Sequence, residues 1–327
     1  MNSDIKIFAG SSGKIFAERM GKYLGIELGK TEVLTFSEGN TSVRILEHVR
    51  DEEVYLVQPI GLDPNNEFVE LLFWMDAFKR SGARYVTAVV PYFSYAKGDK
   101  KDESRVSIRA RICAECIELA GADRVITMDL HAAQIQGFFK KPVDHLLARP
   151  LLVKYIQSVM KDDFVVVSPD AGFAKNARKF AENLGCGFAV GDKMRVRHDE
   201  KAEIMELIGE VSGLDAVIVD DFSLSGGTLV EVAKLLKTRG AKKIMACLSH
   251  VPMTQKGVDA IEKSEIDILV STDSINNPRI TGSSKIKIIS VAPLFAEVVK
   301  RMQNRQALGD LFDVIPEEMF VASMVCC

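Results

Sequence analysis

Short apolar runs rich in β-branched residues alternate with amphipathic stretches along the whole chain. The runs Ile5–Phe8, Val54–Gln58, Tyr85–Val90, Arg124–Met128, Phe164–Val167, Ala216–Val219, Lys243–Leu248 and Ile268–Ser271 have the length and composition of buried strands. Stretches such as Glu67–Lys79 and Thr228–Lys237 space their apolar residues at the helical period. Strands alternating with helices in this way predict an α/β fold built on parallel sheets.

The pattern also repeats. Phe68-Val69-Glu70-Leu71-Leu72, followed by Lys79-Arg80-Ser81-Gly82-Ala83-Arg84-Tyr85-Val86-Thr87-Ala88, is one copy. Leu229-Val230-Glu231-Val232-Ala233, followed by Lys237-Thr238-Arg239-Gly240-Ala241-Lys242-Lys243-Ile244-Met245-Ala246, is the other. An offset of about 160 residues, half the chain, predicts two related domains. Pro142 and Pro150 bracket the expected division, near residue 148.

The two copies differ in what precedes their helices. Before the second stands Ala216-Val217-Ile218-Val219-Asp220-Asp221-Phe222-Ser223-Leu224-Ser225-Gly226-Gly227-Thr228. A strand feeding a helix through such a loop points backbone N–H groups and the helix dipole at an anion. The glycines allow close approach, and Ser225 and Thr228 add hydroxyls. Asp220 and Asp221 would repel a phosphate, but they suit sugar hydroxyls, so the pairing points to a phosphorylated sugar. The bland reading is a strand-to-helix turn with two solvated acids. The first copy has Gln58-Pro59-Ile60-Gly61-Leu62-Asp63-Pro64-Asn65-Asn66 instead, without acid pair or Gly-Gly-Thr. It is expected to serve another task, such as a second substrate or a neighbouring subunit.

Composition narrows the classes. The 327 residues are 47% hydrophobic and 27% charged, as in a soluble globular protein with room for two cores. A net charge of −3 argues against a nucleic-acid binder with a basic surface. No apolar run is long enough to span a bilayer, and the N-terminus enters a strand pattern directly. A cytoplasmic location is the expectation. Cys186 and Cys247 read as core residues, Cys113 and Cys116 as helical positions rather than a zinc or redox pair, and Cys326-Cys327 as a loose tail.

Other groups follow strand ends, where α/β folds place ligands. His131 in Asp129-Leu130-His131-Ala132 and Asp170 in Ser168-Pro169-Asp170-Ala171-Gly172 are able to hold a divalent cation. They read equally as a hydrogen-bonded histidine and a capping aspartate. Lys193 and Arg195 lie in a charged segment, Gly191–Lys201, read as a loop. In extended backbone they share a face and suit a polyphosphate, or they are simply solvated. Tyr92–Lys101 sets aromatics beside basic residues, and Phe36-Ser37-Glu38-Gly39-Asn40 reads as a polar turn.

Together these segments resemble the ribose-phosphate diphosphokinase family from Ile5 to about Phe312. The most specific stretch is Arg124-Val125-Ile126-Thr127-Met128-Asp129-Leu130-His131-Ala132-Ala133-Gln134-Ile135-Gln136-Gly137-Phe138-Phe139, followed by Pro142-Val143-Asp144. The resemblance implies two duplicated phosphoribosyltransferase-like domains, each with a mainly parallel sheet flanked by helices. They are expected at residues 1–148 and 149–312, with a tail at 313–327. It implies transfer of the β,γ-diphosphoryl group of ATP to the anomeric hydroxyl of ribose 5-phosphate, with Mg2+ as cofactor. His131 and Asp170 match the magnesium positions, and Lys193 and Arg195 the catalytic pair. Asp220 and Asp221 match the ribose ligands, and Leu224, Ser225, Gly226, Gly227 and Thr228 the 5-phosphate loop. Phe36, Glu38, Asn40, Lys97, Gly98 and Asp99 match the ATP site. Arg50, Arg105 and Gln134 match an allosteric site. Homo-oligomers built from dimers, up to hexamers, are implied.

Departures from the family pattern are Leu224-Ser225 for Asp-Thr, Lys97-Gly98 for Arg-Gln, and Glu38-Gly39-Asn40 for Asn/Asp-x-Glu. They lead to an expectation of relaxed adenine selectivity. Ala307 and Gly309 replace serines of the allosteric site, which implies weak activation by phosphate. Two alternatives compete: a catalytically weak regulatory homologue, and a type I phosphoribosyltransferase.

Overall fold

The computed structural model describes residues 5–195 and 203–325. The chain forms two compact units: one holds residues up to Ala148, Asp273–Asn276 and the chain from Ser290, the other Arg149–Thr272 and Asn277–Ile289.

The first unit contains β1 (Lys6–Ala9), α1 (Lys14–Leu24), β2 (Thr31–Thr35), β3 (Thr41–Ile45), β4 (Glu53–Val57), α2 (Pro64–Arg80), β5 (Tyr85–Val90), α3 (Arg109–Leu119), β6 (Arg124–Met128) and β7 (Val143–Leu146). Its sheet runs β1-β4-β5-β6-β7, all parallel, while β2 and β3 pair separately as an antiparallel hairpin. The second unit contains α4 (Arg149–Val159), β8 (Phe164–Ser168), α5 (Ala174–Leu184), β9 (Gly187–Arg195), β10 (Glu203–Ile208), β11 (Asp215–Phe222), α6 (Gly227–Thr238), β12 (Ile244–His250), α7 (Gln255–Glu262), β13 (Ile268–Thr272) and β14 (Ile286–Ile289). Its sheet runs β10-β9-β8-β11-β12-β13-β14, with only β9 and β10 antiparallel. The helices α8 (Ala292–Gln303) and α9 (Glu317–Val325) return to the first unit.

The duplication is visible in the topology. The order β1-β4-β5-β6-β7 recurs as β8-β11-β12-β13-β14. Helices α1 and α5 both have 11 residues and start about 160 residues apart. Each stops on a left-handed glycine, Gly25 or Gly185, a conformation that costs a side-chain-bearing residue more. The parallel strands read as continuous apolar runs because they are covered on both faces. In the first unit Phe8 packs on Phe78 at 4.8 Å between ring centroids, and Phe78 stacks on Trp74 at 5.9 Å, all three fully buried. In the second, Val165, Ile218, Leu236 and Ile244 form the matching core.

Several expectations change. The hairpin β2–β3 and the strand β7 carry too few apolar residues to stand out in sequence, and β10 and β14 are further strands that the apolar runs read above do not include. Gly191–Arg195, read as a loop, is the end of β9, with Lys193 opposite Met205 and Arg195 opposite Glu203. Residues 196–201 of that segment lie outside the described residues. The stretch 290–312, expected in the second domain, packs with the first unit: Phe295 of α8 meets Phe16 of α1 edge-on at 5.3 Å. Asp273, wholly buried, accepts hydrogen bonds from Ser290 Oγ, the Val291 amide at 2.8 Å and Arg19 at 2.6 Å, which fastens the returning chain. Within the stretch 313–327 expected as a tail, Glu317–Val325 forms α9, and Ser323 O accepts from the Ser290 amide. Cys247 is buried as expected, but Cys186 is only half-buried. Cys326-Cys327 lies outside the described residues. Among the described residues no helix is long and apolar enough to cross a membrane.

Removing the Phe8 ring leaves a cavity at the centre of the first core. Phe8→Ala is expected to lower unfolding stability by about 3–5 kcal/mol. Urea unfolding followed by fluorescence of the sole tryptophan, Trp74, reads that loss in this unit directly.

Candidate active site

The acid pair and the Ser223–Thr228 loop sit at the C-terminal end of β11, the central strand of the second sheet. Asp220 and Asp221 stand just before the strand's last residue, Phe222, and are half-buried. The chain then turns through Ser223–Gly226 into α6. Gly226 takes a left-handed conformation (φ 71°) as N-cap, and its amide donates to Ser223 Oγ at 3.1 Å. Since α6 starts at Gly227, its first-turn N–H groups have no intrahelical acceptor. Gly227 and Ser225 are exposed and Thr228 half-buried, and the Gly227 amide donates to Ser225 Oγ at 3.4 Å. The back of the loop is fixed by Leu224 O, which accepts from the Thr254 amide at 3.0 Å. At Gly257 an added Cβ would lie 2.6 Å from that same carbonyl, so this close seat requires glycine.

The acids are under electrostatic stress. Burial, then Asp221, then Asp170 push the Asp220 carboxyl up to about 8. The Asp221 amide, which donates to Asp220 Oδ1 at 3.0 Å, opposes the shift without cancelling it. Asp170 follows β8 in an exposed turn, where Ser168 Oγ donates to its carbonyl at 2.7 Å and its Oδ1 accepts from the Phe173 amide. Two carboxylates that raise the proton affinity of Asp220 make a cation or a hydrogen-bond donor beside it favourable.

In the first unit, the Asp129–Ala132 turn follows β6. Asp129 is left-handed (φ 40°), and its carboxylate accepts from the Ala148 amide at 3.0 Å. The Leu130 amide donates to His145 Nε2 at 2.9 Å, and Gln136 reaches His145 Nδ1 at 3.3 Å. Burial lowers the His145 pKa, which keeps the ring neutral and able to accept. His131 is left exposed at the turn. His145 was absent from the sequence-predicted residues; its signal, a histidine on the neighbouring strand, becomes legible only from the pairing of β6 with β7.

The nucleotide candidates occupy two places in the first unit. Phe36, Glu38 and Asn40 form the exposed tip of the β2–β3 hairpin. The Phe36 amide donates to Asn40 O, and Asn40 Nδ2 to Glu38 Oε1 at 3.0 Å. Lys97, Gly98 and Asp99 lie in a short turn after β5, with Gly98 buried. A Cβ on Gly98 would stand 2.6 Å from Arg109 Nε and 2.9 Å from Arg109 Cβ, so Arg109 fills the space a larger residue would need. Arg50, Arg105 and Gln134 are exposed, and Arg105 is left-handed (φ 67°).

Comparison with known proteins points to one family. Residues 5–121 match a model described as the N-terminal domain of ribose phosphate pyrophosphokinase, and residues 192–313 one described as the phosphoribosyl synthetase-associated domain. The chain is 44% identical to the ribose-phosphate pyrophosphokinase of Caldanaerobacter subterraneus subsp. tengcongensis, over 95% of this chain and 98% of that one. It is also 44% identical to the Clostridium perfringens enzyme of the same name, again over 95% and 98%. The phosphoribosylpyrophosphate synthetase structure from Mycobacterium smegmatis superposes with a TM-score of 0.87 at 31% identity, covering 92% of this chain and 99% of that one. With two phosphoribosyltransferase-like units in one chain, this protein belongs to the ribose-phosphate pyrophosphokinase family of enzymes.

Proposed function

We propose that this enzyme transfers the β,γ-diphosphoryl group of ATP to the anomeric hydroxyl of ribose 5-phosphate, giving 5-phosphoribosyl 1-diphosphate and AMP. The observation that carries this reading is the β11–α6 turn, which sets two half-buried carboxylates beside exposed hydroxyls and first-turn amides. Asp220 and Asp221 accept hydrogen bonds from ribose hydroxyls. Ser225, Gly226, Gly227 and Thr228 bind the 5-phosphate, and Leu224 forms an apolar rim, 44% exposed. Lys193 and Arg195, two apart on β9, are the proposed cations that neutralise charge on the transferring group. Phe36, Glu38, Asn40, Lys97, Gly98 and Asp99 are proposed to bind ATP, and Arg50, Arg105 and Gln134 an effector. Assembly into dimer-based homo-oligomers belongs to the same proposal, as does the cytoplasmic location.

Magnesium fits this donor set. Among the described residues no group of three or more His, Cys, Asp or Glu side chains is arranged to hold a metal alone. Magnesium asks for less: it keeps several waters and takes one or two protein ligands with substrate phosphates. Asp170, close enough to raise the Asp220 pKa, and the exposed His131 are the proposed positions. When bound, the ion would neutralise and orient the phosphates.

Three outcomes test the reading. Lys193→Ala should lower kcat by about 10²–10³, the scale of losing one stabilising donor in a transition state; steady-state AMP release measures it. In the ligand-free protein, native Asp220 holds its proton up to about pH 8. The unfolded chain releases it near the ordinary carboxylate value of about 4. Stability therefore falls as pH rises through that window. Asp220→Asn should remove this fall, so its melting temperature should gain on wild type between pH 5 and 8, a gap that calorimetry resolves. Finally, a nucleoside triphosphate panel should show GTP and other donors used within about tenfold of ATP, because Lys97-Gly98 lacks a planar guanidinium for base stacking.

A further inference from the structure

Both units contain the same two strand-end loops, yet their donors meet different partners. In the second unit, Thr228 opens α6 and Glu231 on its next turn is exposed. The repeated pattern that pairs Phe68 with Leu229 puts Glu67 at the place of Thr228 and Glu70 at the place of Glu231. In the first unit these two acids turn inward. Glu67 Oε2 accepts from the Gly61 amide at 2.5 Å, in the loop that corresponds to the phosphate turn. Glu70, only 4% exposed, accepts from the Ser11 amide at 2.8 Å, from Ser11 Oγ and from Trp74 Nε1 at 3.0 Å. Gln58, fully buried where the second unit has Asp220, accepts from the Ser12 amide at 3.3 Å and donates to Glu67 O. Pro64 at the start of α2 removes a further donor.

The packing is made for these acids. A Cβ on Gly10 would lie 2.3 Å from Gln58 Oε1 and 3.0 Å from Glu70 Oε1. Glu67 borders a cavity of about 290 Å3 that Lys14, Ser11, Ser12, Gly61 and Asn276 also line. The cavity has room for several waters at about 30 Å3 each. Apart from Glu67 these lining groups are cationic or hydrogen-bond donors, or neutral, a set that suits an oxyanion once the acid is gone.

We propose that Glu67 and Glu70 are built-in anions that close the first unit's two loops, so that each chain holds its phosphorylated sugar on the second unit alone. The inference rests on reading Ser223–Thr228 as the sugar-phosphate loop, under the function proposed above.

Crystals of the full-length protein grown with sodium selenate test it through the anomalous signal of selenium. Wild type should hold selenate at Ser223–Thr228 and none at Gly61 or Ser11. Glu67→Thr, which installs the second unit's residue on the half-buried first turn of α2, should add one selenate per chain at Gly61 and Ser12. Glu70→Ala should add one at Ser11, and titration calorimetry of each variant should show the extra site. Selenate at Ser223–Thr228 in all proteins, with none gained in Glu67→Thr, overturns the inference and leaves the proposed function standing. Selenate missing from Ser223–Thr228 throughout removes the phosphate-loop reading, and the inference with it.

Discussion

A parallel strand that turns into a helix leaves backbone N–H groups without a partner, and every functional feature of this protein answers that constraint. The first-turn amides of a helix cannot bond within the helix, and the dipole adds positive potential at the same place. An acceptor must come from solvent, a side chain or a ligand. In the second unit the turn after β11 stays open, with Ser225 and Gly227 exposed. In the first unit the matching loop after β4 has its Gly61 amide bonded to Glu67, while Glu70 and Gln58 accept from Ser11 and Ser12 in the turn after β1. One architecture, repeated, thus carries different acceptors in its two halves.

The loop proposed to hold the 5-phosphate must also be stiff, because ordering a slack loop on binding would cost free energy. Stiffness comes from behind: the Thr254 amide holds Leu224 O, and Gly257 lets α7 approach to van der Waals distance. The acids beside the loop pull the other way. Burying Asp220 next to Asp221 and Asp170 costs stability in the empty protein, and a cation or sugar hydroxyls relieve that cost. Strain of this kind is stored where a ligand is expected.

The first unit uses buried polar contacts for construction. His145 and the Asp129 carboxylate shape the turn that exposes His131. Asp273, Ser290 and Arg19 tie the returning C-terminal segment to the unit that begins the chain. The buried Asp273 carboxylate is satisfied by three partners, as burial demands.

The sequence by itself determined the parallel strands, the helices between them, the duplication and the loop with its acid pair, since each depends on neighbours in the chain. The apolar runs Tyr85–Val90 and Arg124–Met128 match β5 and β6 residue for residue, because strands buried on both faces are mostly apolar. Tertiary structure alone decided the rest. The hairpin β2–β3 is half-exposed and has no strong period to read. The return of 290–325 to the first unit depends on Phe16 meeting Phe295, far apart in sequence. Most telling are Glu70 and Glu231, alike in the repeated pattern, yet one is buried on Ser11 and the other exposed. Where a carboxylate points is set by which donors the folded chain brings within hydrogen-bonding distance, and no local pattern carries that information.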